Sequence, residues 1–425
     1  MPGPKADIIQ AALNAEWHAR PEMQIDPSMR CTHVVTAKCP DGTLEEVEAG
    51  YIGSQVKELA PSTRHHITDM GTYRVKWEKH TEVTCYTFAM PASQDSAFSD
   101  TPLSYLDEKA RSTLLSEMKI GIRIEVLPAA LLADDNGYAA ACNIFSTKKL
   151  YGGWAAGHSA AIWSPFLPDK DGFIRVLICA LNLPDSRLSR LVHRLLDIET
   201  YRILAMAALP IARKTMETLD KLEPALDKII ATIASNPSEE EQEQLLIEIT
   251  TIAAKAEHLA SSTAYRFAAA KAYEDIISRR LIEIKEEALN DHPRMTQFLS
   301  KSFSPAMRTC EAAGHRANDL TARISRAANL LNTMVDMAQK RQSHKILKSL
   351  ETQGSRQIRL QQAVEGLSIF AVSYYGIGLV NYALKGAKAF GLPFTPEILT
   401  GLSVPIMLFL SWFLIRMVKK RVITS

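Results

Sequence analysis

Three stretches of this chain concentrate side chains that bind metals or move protons. They are residues 14–21 (NAEWHARP), 77–82 (WEKHTE) and 151–160 (YGGWAAGHSA). Each carries a histidine, and the first two also carry glutamates. Imidazole beside carboxylate can ligate a transition metal or act as a general acid–base pair. Along an extended strand, alternation puts Glu78, His80 and Glu82 on one face. With His18 and His158 they make up a candidate cytoplasmic ligand or metal site. The same residue types also build buried polar networks that only hold a domain together. Spacing in sequence does not by itself bring any of these groups to another, so both readings stand.

Other chemistry lacks its motif. Gly152, Gly153 and Gly157 are not followed by Gly-Lys-Ser/Thr and do not match G-x-G-x-x-G, so they make neither a P-loop nor a dinucleotide fingerprint. No nucleophile elbow, zincin or kinase signature occurs. The expectation is that the protein is not an enzyme.

The elements that must position these residues come in three parts. Residues 1–183 read as a cytoplasmic α+β domain. Residues 2–17 have a short helical pattern. Residues 32–38, 72–80, 81–90, 120–128 and 173–181 are β-branched and aromatic with partial alternation, the mark of strands. Residues 94–102, 134–137 and 170–172 read as a loop and two turns.

Residues 184–362 read as a bundle and stalk of long helices. PDSRLSRLVHRLLDIETYRILAMAAL opens with a capping signal, and Pro210 is placed to kink it. Ser238 followed by acids restarts a helix to about residue 287, which DHPR (291–294) ends. A last helix from about Pro305 carries Leu320, Ile324, Ala327, Leu331, Met334 and Ala338 on one seam, suited to a coiled coil or to bundle packing.

Residues 363–425 read as a transmembrane hairpin. Residues 366–384 and 398–415 are uncharged runs of 19 and 18 residues, and about 17 suffice to cross a bilayer. The helices are expected at about 363–384 and 398–415. Arg356 and Arg359 precede the first, while Arg416, Lys419, Lys420 and Arg421 follow the second. Positive charge marks the cytoplasmic side, so both termini are expected inside. Polar residues of the first helix form two stripes that include Glu365, Ser368 and Tyr375, and Tyr374, Gly378 and Asn381. Polar groups at that depth face a bundle interior or a water-filled path, or serve ordinary helix contact.

Composition bounds the class. There are 49 basic and 47 acidic residues, so global charge gives no argument for nucleic acid. Six cysteines without a C-x-x-C pair argue against a zinc ribbon or disulfide framework. The start of the chain has no apolar core of signal-peptide length, so the bulk is expected in the cytoplasm.

Two resemblances rest on these residues. NAEWHARP, KHTE, YGGWAAGHSA, RLLDIETYRILAMAALP, SSTAYRFAAAKAY and SYYGIGL, spread over residues 14–379, resemble a bacterial family of membrane-anchored proteins known as domain of unknown function 3422. That likeness implies a membrane anchor. The layout as a whole resembles the CorA-type divalent-cation transporters: a cytoplasmic α/β domain, stalk helices, a pore helix continuing the stalk, a short outer loop, a second membrane helix and a basic tail. Those transporters carry Tyr-Gly-Met-Asn in the loop, where five copies ring the ion entrance. Here Phe390, Gly391, Leu392 and Pro393 stand at that place, with Glu397 shortly after. The aromatic-Gly pair is similar, and Pro393 replaces the asparagine.

The resulting expectation is a homo-oligomeric inner-membrane protein of CorA-like build, a pentamer by the resemblance. It would be an ion channel or transporter with a cytoplasmic sensing domain. Its partners would be the lipid bilayer and its own copies, with a divalent cation as the transported or bound ion and no nucleic acid. The rival is a membrane-anchored scaffold or regulator whose cytoplasmic domain binds a partner or small ligand. A third class, a tethered metal enzyme, needs His18, His80 and His158 to converge.

Overall fold

The computed structural model describes residues 22–37, 64–92, 97–129, 137–389 and 395–423. The short helix over 2–17, His18, residues 134–136 of the predicted turn, and Phe390, Gly391, Leu392 and Pro393 of the outer loop lie outside these residues.

Eight strands are described: β1 (Met29–Ala37), β2 (His65–Asp69), β3 (Arg74–Lys79), β4 (Val83–Pro91), β5 (Met118–Pro128), β6 (Tyr151–Ala155), β7 (Ala160–Ser164) and β8 (Phe173–Ala180). Among them run two short helices, α1 (Glu108–Glu117) and α2 (Gly137–Phe145). Then come α3 (Asp185–Met206), α4 (Ala208–Ala234), α5 (Glu239–Ile284), α6 (Met295–Ala389) and α7 (Pro396–Ile423). The strands form one sheet in the order β2-β3-β4-β1-β5-β8-β7-β6. Neighbours are antiparallel except β5 and β8, which are parallel.

The sheet is covered on both faces. Val35, Cys85, Ile122, Ile124 and Ile178 point into a core with Leu188, Leu191, Val192 and Leu195 of α3. On the opposite face Val34, Val75, Trp77, Tyr86 and Phe88 pack with Leu106, Ala110 and Leu114. Further along, Trp163, Leu177 and Cys179 pack with Ala141 and Phe145 of α2. Burial on both sides makes strands nearly continuously apolar, which is why their alternation is only partial in sequence. Each such Leu, Ile or Phe contributes about 1.5–3 kcal/mol by leaving water.

Strands β2, β6 and β7 were not expected. YGGWAAGHSA is rich in Gly and Ala, residues of low strand propensity, yet it forms the β6–β7 hairpin. Its glycines explain how. A Cβ on Gly152 would lie 1.8 Å from the Ile162 carbonyl oxygen, and one on Gly153 would lie 2.2 Å from that of Glu287. The second contact belongs to the connection between α5 and α6, which pairs along the β6 edge. Trp154 N donates to Glu287 O at 3.0 Å and Glu287 N to Trp154 O at 2.9 Å, while Gly152 N donates to Pro293 O at 3.0 Å. An edge that would otherwise template foreign strands is thereby closed.

The helices begin and end for local reasons. The pyrrolidine of Pro210 clashes with the carbonyl four residues back, and the chain breaks between Met206 and Ala208. Ser238 and Glu241 form a reciprocal cap: Ser238 N donates to Glu241 Oε2 at 2.8 Å and Glu241 N to Ser238 Oγ at 3.3 Å. This is the capping box. Helix α6 starts ten residues before the expected Pro305, because Glu286 accepts from Met295 N at 2.6 Å and Thr296 N at 2.8 Å and so caps its first turn. Pro305 is absorbed within the helix. Arg316 of α6 donates to Glu223 and Asp220 of α4. On the predicted seam Leu320, Ile324, Ala327 and Leu331 are buried, while Met334 and Ala338 are half-buried.

The chain falls into two compact units. One comprises the sheet, the residues up to Asn236 and Leu245–Ala327; the other comprises Pro237–Gln244 and the residues from Ala328 onward. In the second, α6 carries the first apolar run without interruption and α7 carries the other. Both are long and apolar enough to cross a membrane, and each exposes nearly all of its apolar run. They meet through small side chains. Ser373 and Ser411 are buried, Gly376 leaves room for Met407, and Thr400 Oγ1 donates to Asn381 Oδ1 at 3.4 Å. Asn381 thus faces its own hairpin, while Tyr374 and Tyr375 face outward. Ser368 is exposed, with its hydroxyl bonded back to Val364 O, Gly378 has open space around it, Glu365 is half-buried and Glu397 exposed in the first turn of α7.

Candidate functional site

A charged cleft of about 440 Å³ lies at the β2–β3 edge of the sheet, between α3 and α5. Strand alternation aims Lys76 and Glu78 of β3 and His65 of β2 into it. On α3 the spacing 190, 193, 194, 197, 201 brings Arg190, His193, Arg194, Asp197 and Tyr201 to one face, and α5 contributes Ile276, Arg279, Arg280 and Glu283. Glu22 and His80 complete the lining.

Most of these charges are paired. Arg280 Nε donates to Asp197 Oδ2 at 2.8 Å, and its Nη1 donates to Glu283 Oε2 at 2.9 Å. Arg194 Nε donates to the same Glu283 oxygen at 2.9 Å. Lys76 Nζ stands 2.9 Å from Glu78 Oε1, and His65 Nδ1 stands 3.4 Å from it. Burial pushes the Glu78 carboxyl up, but the His65 ring and the Lys76 ammonium beside it outweigh that and hold the pKa far below the usual carboxylate range. Glu78 is therefore a fixed anion.

Arg190 pairs with Glu22 at 3.9 Å, and Arg279 Nε donates to a backbone carbonyl, that of Asp275, at 3.4 Å. Burial, followed by the Lys76 charge, lowers the pKa of His193. Its Nε2 is buried without a hydrogen-bond partner. The lining holds five cationic side chains against four carboxylates, a small excess of positive charge.

The other candidate residues separate. Strand β3 ends at Lys79, so Glu78 and His80 stay with the cleft while Glu82 turns away. Glu82 Oε2 accepts from Arg266 Nη1 at 3.1 Å and Tyr273 Oη at 2.9 Å. His158 sits in the β6–β7 turn, where its Nε2 pairs with Glu287 Oε2 at 2.8 Å and its ring stacks on Trp154. Six strand spacings separate β3 from β6, roughly 29 Å at about 4.8 Å each, so His80 and His158 do not converge. Among the described residues, no three His, Cys, Asp or Glu side chains cluster so as to hold a metal.

Sequence reasoning missed the α3 contribution. The signal was present: Arg190, His193, Arg194 and Asp197 recur at helical spacing opposite the apolar Leu188, Leu191, Val192 and Leu195. Helix α3 also explains the RLLDIETY stretch. Thr200 Oγ1 lies 3.2 Å from His33 Nε2, and His33 Nδ1 lies 2.8 Å from Thr87 Oγ1. Tyr201 packs on Tyr273.

The model of the family described as Protein of unknown function (DUF3422) matches residues 8–422. No curated protein matches the chain.

Proposed function

The chain belongs to the DUF3422 family, and from the site we propose that it is a membrane-anchored regulatory protein whose α+β unit binds a small ligand. The observation that carries this reading is the cleft, in which five cationic side chains face four carboxylates and Arg279 Nε donates to a backbone carbonyl. The protein acts by binding and not by catalysis. The α6–α7 hairpin anchors it in the inner membrane, with both termini on the cytoplasmic side as the flanking basic residues direct. The test is a thermal-shift screen of the full chain in detergent against small anions, cations and neutral compounds, repeated with Arg279→Glu at the exposed rim. Stabilisation lost in the variant is the expected result. No stabilising compound, or stabilisation that the variant leaves intact, overturns the reading.

A second reading is supported by α6. Ile346, Leu350, Leu360, Val364 and Leu367 are each more than half exposed. With Gln353 and Gln357 they follow a 4-3-4-3-4-3 spacing, the repeat of a coiled-coil seam. The seam lies on the helix that carries the first apolar run. Its occupant would be a second copy of this chain, anchored in the same bilayer and therefore parallel. On this reading the protein is a homo-oligomer of CorA-like build, and the ring passes a divalent cation. Native mass of the solubilised protein, corrected for detergent, comes first, followed by flux into liposomes. A monomer, or an oligomer that passes no ions, excludes it.

A further inference from the structure

The exposed seam of α6 does not end where the apolar run begins. From Leu367 the same repeat goes on through Ala371, Tyr374 and Gly378. Ten positions from Ile346 to Gly378 thus keep one spacing, and none carries a charge. At about 1.5 Å per residue this ridge is about 48 Å long. Helix α7 leaves it open. That helix packs where Ser373 is buried and where Gly376 leaves room for Met407, and at 3.6 residues per turn both lie on the other side of α6. Ala371 and Tyr374 are exposed, and a Cβ on Gly378 would meet nothing within 4 Å. The next position, Asn381, bonds to Thr400 of α7, and there the ridge stops.

What covers the ridge follows from two residues, given the reading of the hairpin as a membrane anchor and of α6 as a contact between copies. Tyr374 stands one residue from the middle of the run 366–384 and is 76% exposed, its ring edge-on to that of Tyr375 at 5.8 Å. Membrane tyrosines belong at the interfaces, where the hydroxyl reaches water, as Tyr382 near the outer end can. A polar group at mid-bilayer faces other protein instead. The second residue is Arg356, the one charge among the positions that flank the ridge. In a parallel pair of identical helices such a position faces the one five residues further along its neighbour. That is Gln361, so no like charges meet. We propose that a second copy of this chain covers the ridge in parallel and in register, from Ile346 in the stalk to Gly378 inside the bilayer. The two Tyr374 side chains then share a hydrogen bond at mid-membrane, and Gly378 lets the backbones approach.

The experiment is oxidative cross-linking of the full chain in its own membranes, with one cysteine added at a time. Gln353→Cys tests the stalk and Ala371→Cys the membrane run. Ser355→Cys and Val372→Cys, both exposed and away from the ridge, are their controls, and the natural chain corrects for its own cysteines. Each ridge variant should give a product of twice the chain mass about tenfold or more faster than its control, because the contact holds the two thiols together. In detergent, Tyr374→Phe should raise the protein concentration at which the assembly is half dissociated by about threefold, the worth of one hydrogen bond between membrane helices. No change there overturns the shared hydrogen bond. If Gln353→Cys links rapidly but Ala371→Cys does not outpace Val372→Cys, the copies meet in the stalk alone: the contact between copies stands and its continuation into the bilayer is overturned. A linked product of any other mass means that a different protein covers the ridge, which also overturns the proposal. If neither ridge variant outpaces its control, the proposal and the contact on which the second reading rests both fall.

Discussion

Glu82, in the turn between β3 and β4, accepts a hydrogen bond from Arg266 of α5, 184 positions further along the chain. Tyr273 donates to the same oxygen. Two stretches singled out in sequence, KHTE and SSTAYRFAAAKAY, are thus two halves of one contact that clamps α5 onto the sheet beside the cleft. Burial opposes the Glu82 charge, but hydrogen bonds from Tyr265 and Tyr273 and the charge of Arg266 prevail and lower its pKa. A double-mutant cycle on Glu82→Gln and Tyr273→Phe should show a coupling of ~1–2 kcal/mol in chemical denaturation. Additive effects would mean that the clamp contributes nothing as a unit.

The β6 edge gives a second prediction. Gly153→Ala puts a methyl group where the Glu287 carbonyl oxygen stands. The connection from α5 to α6 must then lift off the strand, at a cost of about 1–3 kcal/mol. Amide hydrogen exchange at Trp154 and Glu287, which donate to each other's carbonyls, should speed up by tenfold or more, since about 1.4 kcal/mol is one factor of ten. Gly157→Ala is the control. It has open space for a methyl but a φ of +65°, so it should cost only local strain and leave those two amides protected.

His33 makes stability depend on pH. Burial lowers its pKa from 6.5 to about 3, against the opposing charge of Glu78. The folded state therefore keeps the ring neutral while the unfolded chain protonates it. The contribution is complete above pH 6.5 and is lost progressively as pH falls from there towards about 3, with a slope of up to ~1.4 kcal/mol per pH unit. Denaturation midpoints between pH 7 and pH 5 should fall for the natural chain. His33→Gln should show a shallower fall over the same interval. Equal slopes would show that His33 does not titrate between the two states.

The exposed seam of α6 gives a fourth prediction. If Ile346, Leu350, Leu360, Val364 and Leu367 contact a second copy, Leu360→Asp buries a charge in that contact and should halve the native mass or lower it further. Arg359→Asp, one position off the seam, should leave it unchanged. A native mass that neither substitution alters would leave the seam without a partner of its own kind.

Much of this architecture was legible in the chain itself. Local forces write themselves into sequence: Ser238 with Glu241 three residues on, Pro210 breaking a helix, and the two uncharged runs of α6 and α7 each depend on neighbours within a few positions. The β-branched cores of β1, β4, β5 and β8 were equally plain, because burial on both faces demands apolar side chains at almost every position. What the sequence could not say is which distant residues meet. The Gly-Ala hairpin β6–β7 has no strand propensity of its own and exists through pairing with β8 and the α5–α6 connection. His80 and His158 look alike in sequence and stand at opposite ends of the sheet. The cleft joins β2, β3, α3 and α5, elements more than two hundred positions apart at the extreme, and which carboxylate each of its cations meets follows only from their packing. Pairing across such distances is a property of the sheet order and helix packing, so only the tertiary structure decided it.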